Sequence, residues 1–198
     1  MADLVAGTAG WEVGTLSKQA DEWVLATQAF EGDALKGFML TTLERIGGTP
    51  AMVIGLGAVD RSRQRAGVLK AMMAESYHKV LMAFPDEDVL VATRLTGVGP
   101  LEALTDLSDI RPWPETRANG EERAWGRRLS KRYGAADFND RTMVARSDGD
   151  TLAFDHESLK QLDGEEILDD CTADDGEYVI AWGWAMAEFL EGFHSPAT

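Results

Sequence analysis

Ala51-MVIGLGAVDRSRQRAGVLKAM-Met73 changes its period midway, and that change decides the fold. Up to Val59 the stretch is apolar on both faces of an extended chain, as a central β-strand requires. Beyond Asp60 the period becomes about 3.6. Val68, Leu69, Met72, Met73, Tyr77, Val80 and Leu81 then share one stripe, while Lys70, Glu75, His78 and Lys79 face away. This predicts an amphipathic helix of about four turns, closed near Phe84-Pro85. At the switch stand Arg61, Arg63 and Arg65. A helix start already exposes unpaired N–H groups and a partial positive charge, so arginines there are unfavourable unless an anion is present. A strand, a loop with a glycine such as Gly67, and a helix N-terminus form a recurring phosphate-binding device. The plain alternative is that these arginines pair with surface carboxylates or stay hydrated.

Outward from this stretch, Trp23–Phe30 and Gly37–Ile46 read as strands, and Gly47 to Pro50 as the hairpin turn leading into Ala51–Val59. Val89–Leu95 reads as a further strand, and LEALTDL as a short helix that ends before Arg111-Pro112. The β-β-β-α-β-α order predicts an α+β fold, a mixed and mostly antiparallel sheet with flanking helices. Glu121–Gly134 reads as a helix, and Thr142–Arg146 and Thr151–Phe154 as strands pairing through SDGD. Glu177–Phe193 fits a strand through Trp184 followed by a short helix. A single domain over residues 1–198 is expected, with a core at about 21–109 and an extension at about 110–198 that completes it.

The composition, 44% apolar and 27% charged with six tryptophans, predicts a folded chain rather than a disordered one. No membrane-length apolar run or secretory leader is read, so a cytoplasmic protein is expected. The formal net charge of −15 disfavours nucleic acid and anionic membranes as partners. From Ser147 to Thr198 fourteen Asp and Glu stand against Lys160 alone, a net charge of −13. A basic run, Arg111 to Arg132, lies elsewhere; the acidic end either packs against it or forms a solvated face. Neither the three histidines nor Cys171 has metal-ligand spacing, and no metal site is expected. Gly55-Leu-Gly57 lies inside a strand and lacks the third glycine of a dinucleotide fingerprint, and there is no P-loop motif.

The order of elements resembles the GNAT superfamily of acyl-CoA-dependent N-acetyltransferases. That family carries Q/R-x-x-G-x-G/A at the start of the helix after its fourth strand, and Gln64-Arg65-Ala66-Gly67-Val68-Leu69 occupies that place. The stretch Lys36–Val59 is similar to the family's third and fourth strands, and Asp88–Pro100 to its fifth strand and following turn. In such proteins the fourth and fifth strands splay, and the pantetheine arm of the cofactor lies between them. The resemblance implies that Ala58 and Val59 offer backbone to pantetheine, while Gln64, Arg65, Ala66, Gly67 and Val68 cradle the pyrophosphate of acetyl-CoA or a related acyl-CoA, with Arg61 and Arg63 adding charge. It departs at Leu69, where the signature has glycine or alanine, and in the missing tyrosine after the fifth strand.

Transfer of an acyl group to an amine needs a base, and Glu44 and Asp60 are the nearest acidic candidates, each otherwise a plain surface carboxylate. The leading expectation is an acetyltransferase acting on an amine, which the acidic C-terminal half suggests to be cationic. Two alternatives stand beside it: a catalytically silent member of the same fold that binds CoA or nothing, and an acidic interaction protein docking a basic partner. A homodimer is expected from the abundant apolar β-sequence and the tryptophans.

Overall fold

The structure is a computed structural model, which describes Met1, residues 13–148 and residues 153–194. The chain enters through α1 (Val13–Glu22) and then runs as an antiparallel meander: β1 (Leu25–Glu31), β2 (Ala34–Ile46) and β3 (Thr49–Val59). The β2–β3 hairpin closes on Gly47 and Gly48 at φ 62° and 91°, a left-handed pair that two glycines adopt without strain. Opposite Leu40 and Thr41, β3 carries a bulge at Gly55. A Cβ at Gly55 would lie 2.0 Å from the Trp23 ring, so only glycine allows the indole to rest there.

The expected helix forms α2 (Arg65–Ala83), and Leu69, Met72, Met73, Tyr77, Val80 and Leu81 of the predicted stripe are buried, while Val68 is half-buried. It connects β3 to β4 (Val89–Leu95), which runs parallel to β3. A 3-10 turn at Gly99–Leu104 follows where a short helix was expected. Then come β5 (Ser108–Arg111) and α3 (Gly120–Arg132), whose start is fixed by a capping box between Asn119 and Glu122.

The remainder of the chain completes this sheet. The strands β6 (Asp137–Asn139), β7 (Val144–Arg146), β8 (Phe154–Asp155) and β9 (Glu177–Ala185) precede a one-turn α4 (Ala187–Leu190). The main strand path runs β1-β2-β3-β4-β9-β7-β6, with β5 also on β9 and β8 on β3. The outcome is a mixed α+β fold around one large, mostly antiparallel sheet.

Two expectations are corrected. The strand at Val144–Arg146 pairs with β6 and β9, and the Phe154 segment pairs with β3, so the two do not form a hairpin; Thr151 and Leu152 lie outside the described residues. The acidic end contributes to the sheet, since β9 pairs along the whole of β4 and buries Tyr178 to Trp182. Three members of the basic run pair with carboxylates outside the acidic end: Arg111 with Glu122 of the run itself, Arg127 with Asp140, and Arg132 with Glu44 and Glu22. Within the acidic end, Asp155 and Glu157 face Arg61 and Arg65 instead.

Candidate functional site

β3 and β4 pair for only three residues, Ala51–Val53 against Leu90–Ala92, and then part. Beyond that point the edge of β3 would carry unpaired N–H and C=O groups inside the protein, which is costly unless something bonds to them. The chain supplies that partner itself. Phe154 and Asp155 pair in parallel with Gly57 and Ala58, so β8 lies where the two longer strands separate.

Several contacts hold this segment. The Phe154 side chain is 1% exposed, and a Cβ on Gly57 would fall 2.6 Å from its ring. On the far side a Cβ at Gly99 would fall 1.8 Å from the His156 carbonyl oxygen, so that glycine lets the segment approach the 3-10 turn. The buried His156 Nε2 lies 2.8 Å from Glu102 Oε2. Burial pushes the Glu102 carboxyl up, but bonds to His156 and Ser158 and the charge of Lys160 outweigh it and hold it below its ordinary value. Glu102 is therefore the acceptor and His156 Nε2 the donor. His156 Nδ1 is buried with no partner among the described residues.

Each residue expected at a cofactor site has a definite position. Ala58 is occupied by the β8 pairing, and Val59 is paired with Gly37. Arg61 is exposed and lies 3.8 Å from Asp155 and 3.9 Å from Glu157. Arg65 opens α2 and donates from Nε to the Glu157 carbonyl at 2.5 Å and from Nη1 to Ser62 at 3.0 Å. Arg63 is exposed, with no ion pair among the described residues. Gln64 is the cap of α2 without a side-chain capping bond, and its carbonyl already accepts from the Val68 N–H. Ala66 and Gly67 line a cavity of about 360 Å³ with Leu69, Lys70, Tyr77 and Glu102. The Tyr77 hydroxyl is buried without a hydrogen-bond partner among the described residues, and burial, aided by the Asp106 charge, pushes its pKa up.

The two acidic candidates are not brought together. Glu44 pairs across the sheet with Ala51 and Asp60 follows Val59, so nine residues of β3 separate them, about 30 Å at the rise of a strand. Glu44 accepts from Arg132 Nε at 2.6 Å and from Thr42 at 2.7 Å, while Asp60 holds Lys36 at 3.1 Å. Both therefore already act as ion-pair partners.

What sequence reasoning missed is the segment Phe154–Glu157, together with Glu102 and Gly99. The one signal was charge: Asp155 and Glu157 are the carboxylates that answer the arginines of the switch. Among the described residues no group of three or more His, Cys, Asp or Glu is positioned to hold a metal ion, and no helix is long and apolar enough to cross a membrane. Comparison with protein-family models, curated proteins and solved structures finds no match to this chain.

Proposed function

We propose that this chain is a catalytically silent binding module with a GNAT-like sheet, whose acyl-CoA groove is closed by its own β8 segment and whose acidic C-terminal surface docks a basic partner. The observation that carries this reading is the parallel pairing of Phe154–Asp155 with Gly57–Ala58. Ala58 is one of the two residues the resemblance assigns to pantetheine, the other being Val59, so a peptide strand stands over part of the place of the cofactor arm. Two of the three arginines that would meet its phosphates, Arg61 and Arg65, meet Asp155 and Glu157 instead. The ion pairs of Glu44 with Arg132 and of Asp60 with Lys36 support the same reading, since each candidate base is already engaged.

The docking surface is the run of two 3-10 turns at Glu165–Leu168 and Ala173–Asp175. Asp163, Glu165, Glu166, Asp169, Asp170 and Asp175 are all exposed there, and among the described residues none has an ion-pair partner. A surface of that sign attracts a lysine- or arginine-rich partner and repels nucleic acid.

The second reading, an acetyltransferase with acetyl-CoA as co-substrate, is favoured by the cavity left beside Ala66, Gly67 and Lys70 at the α2 entrance. It requires β8 to leave. Calorimetric titration of the full chain with acetyl-CoA separates the two. The silent module gives no binding at about 1 mM cofactor, and binds a lysine-rich peptide in a manner weakened by salt. Micromolar acetyl-CoA binding with acyl transfer to an amine would overturn it.

A further inference from the structure

A second cavity, remote in sequence from the β8 groove, has walls of a different chemistry. It measures about 240 Å³ and is lined by Trp125, Trp182 and Trp184 together with Asp109, Arg111, Glu121 and Glu122. Trp182 and Trp184 are two apart on β9 and so project from the same face, while Trp125 comes from α3. The Trp125 and Trp184 rings stand 6.0 Å apart at 82°, two walls of an aromatic corner. Opposite them β5 is bulged: Ser108 pairs with Trp184 and Arg111 with Trp182, so Asp109 and Ile110 together face Gly183. Asp109 sits at φ 50°, a left-handed conformation that aspartate tolerates better than most residues, and its side chain reaches the cavity.

Charge decides which class of ligand fits. Arg111 is consumed by Glu122, with Nε 2.5 Å from Oε1, and the other oxygen of Glu122 caps α3 at Asn119. Asp109 and Glu121 are exposed, and among the described residues neither carboxylate has an ion-pair partner. The cavity therefore combines three indoles, Trp125 and Trp182 largely buried and Trp184 half-buried, with two uncompensated negative charges. Anions are repelled, and neutral apolar molecules gain nothing from the carboxylates. A cation with an apolar surface gains from both, through the negative faces of the indoles and the field of the carboxylates. Arg128, which does not line the cavity, already places its guanidinium 4.8 Å from the Trp125 ring centre, so a further cation in the cavity would share that ring with it.

We infer that the Trp125–Trp182–Trp184 corner with Asp109 and Glu121 is a binding site for a quaternary or methylated ammonium group. The volume admits one such headgroup. The inference is independent of the β8 groove and survives if that reading fails.

The probe is choline, with neohexanol as its uncharged isostere, followed by the indole N–H signals of the full chain in nuclear magnetic resonance. Saturable shifts at Trp125 and Trp184 are expected with choline, and binding of neohexanol at least about tenfold weaker. The double substitution Asp109→Asn, Glu121→Gln changes two exposed groups, leaves the rest of the spectrum intact, and weakens choline by about tenfold. Three results would each overturn the inference: no indole shift at about 100 mM choline, equal affinity for neohexanol, or wild-type choline affinity in the double variant.

Discussion

The ring of Phe154 rests directly on Gly57: a Cβ at Gly57 would lie 2.6 Å from Phe154 Cδ2 and 2.6 Å from the Phe38 carbonyl oxygen. Glycine at that position lets a second chain segment fill the opening between β3 and β4. The unpaired edge of a parted strand is thereby satisfied from within the molecule.

Truncation of this ring is the first test. Phe154→Ala removes a side chain that is 1% exposed in the core, and a loss of about 3–5 kcal/mol in urea unfolding is expected. A loss below about 1 kcal/mol would mean that the ring is not packed in solution.

Glycines on either side of the segment respond differently from Gly67, which was expected in a loop and lies within α2. Gly99→Ala forces a Cβ to 1.8 Å from the His156 carbonyl oxygen, a backbone atom that cannot rotate away. The segment must shift, and a destabilisation of at least about 1–3 kcal/mol follows. Gly67, in the first turn of α2, has no heavy atom within 4 Å of an added Cβ and no positive φ. Gly67→Ala is therefore expected to stabilise by up to about 1 kcal/mol. Thermal melts of both variants check the pair, and a destabilised Gly67→Ala would contradict the open geometry.

Acidification supplies a third test, and its sign follows from Glu102. The folded carboxyl titrates below its unfolded value, so its contribution is fully present above the ordinary carboxylate range and is lost as pH falls through the folded value. His156, Ser158 and Lys160 are the groups that set the shift. Glu102→Gln removes the titration. The stability gap between wild type and this variant is expected to narrow from about pH 6 to pH 3. A gap that widens with acid would reverse the sign and refute the assignment of Glu102 as the charged partner.

Much of the sheet was legible because its strands are long. Gly37–Ile46, Ala51–Val59 and Val89–Leu95 each carry enough alternating or continuous apolar residues to be read alone, and α2 declares itself by its stripe. The first helix was missed because Val13–Glu22 offers few apolar residues in its turns. β6 spans three residues, too few for any period to appear, while the segments of β7 and β8 were read as strands but as partners of each other. The pairing of Phe154 with Gly57 spans almost a hundred positions, and nothing local to either residue encodes it. What the sequence did contain was the excess charge at Arg61, Arg63 and Arg65; two of the three are now partnered by the acidic segment.

The account rests on the β8 segment occupying the opening in solution, and the most direct measurement is the nuclear Overhauser contact between the Phe154 ring protons and the Gly57 α-protons. A strong contact that persists when acetyl-CoA is added is the expected result. Its absence, or its loss on adding acetyl-CoA, would mean that the groove is open to the cofactor and that the silent-module reading is wrong.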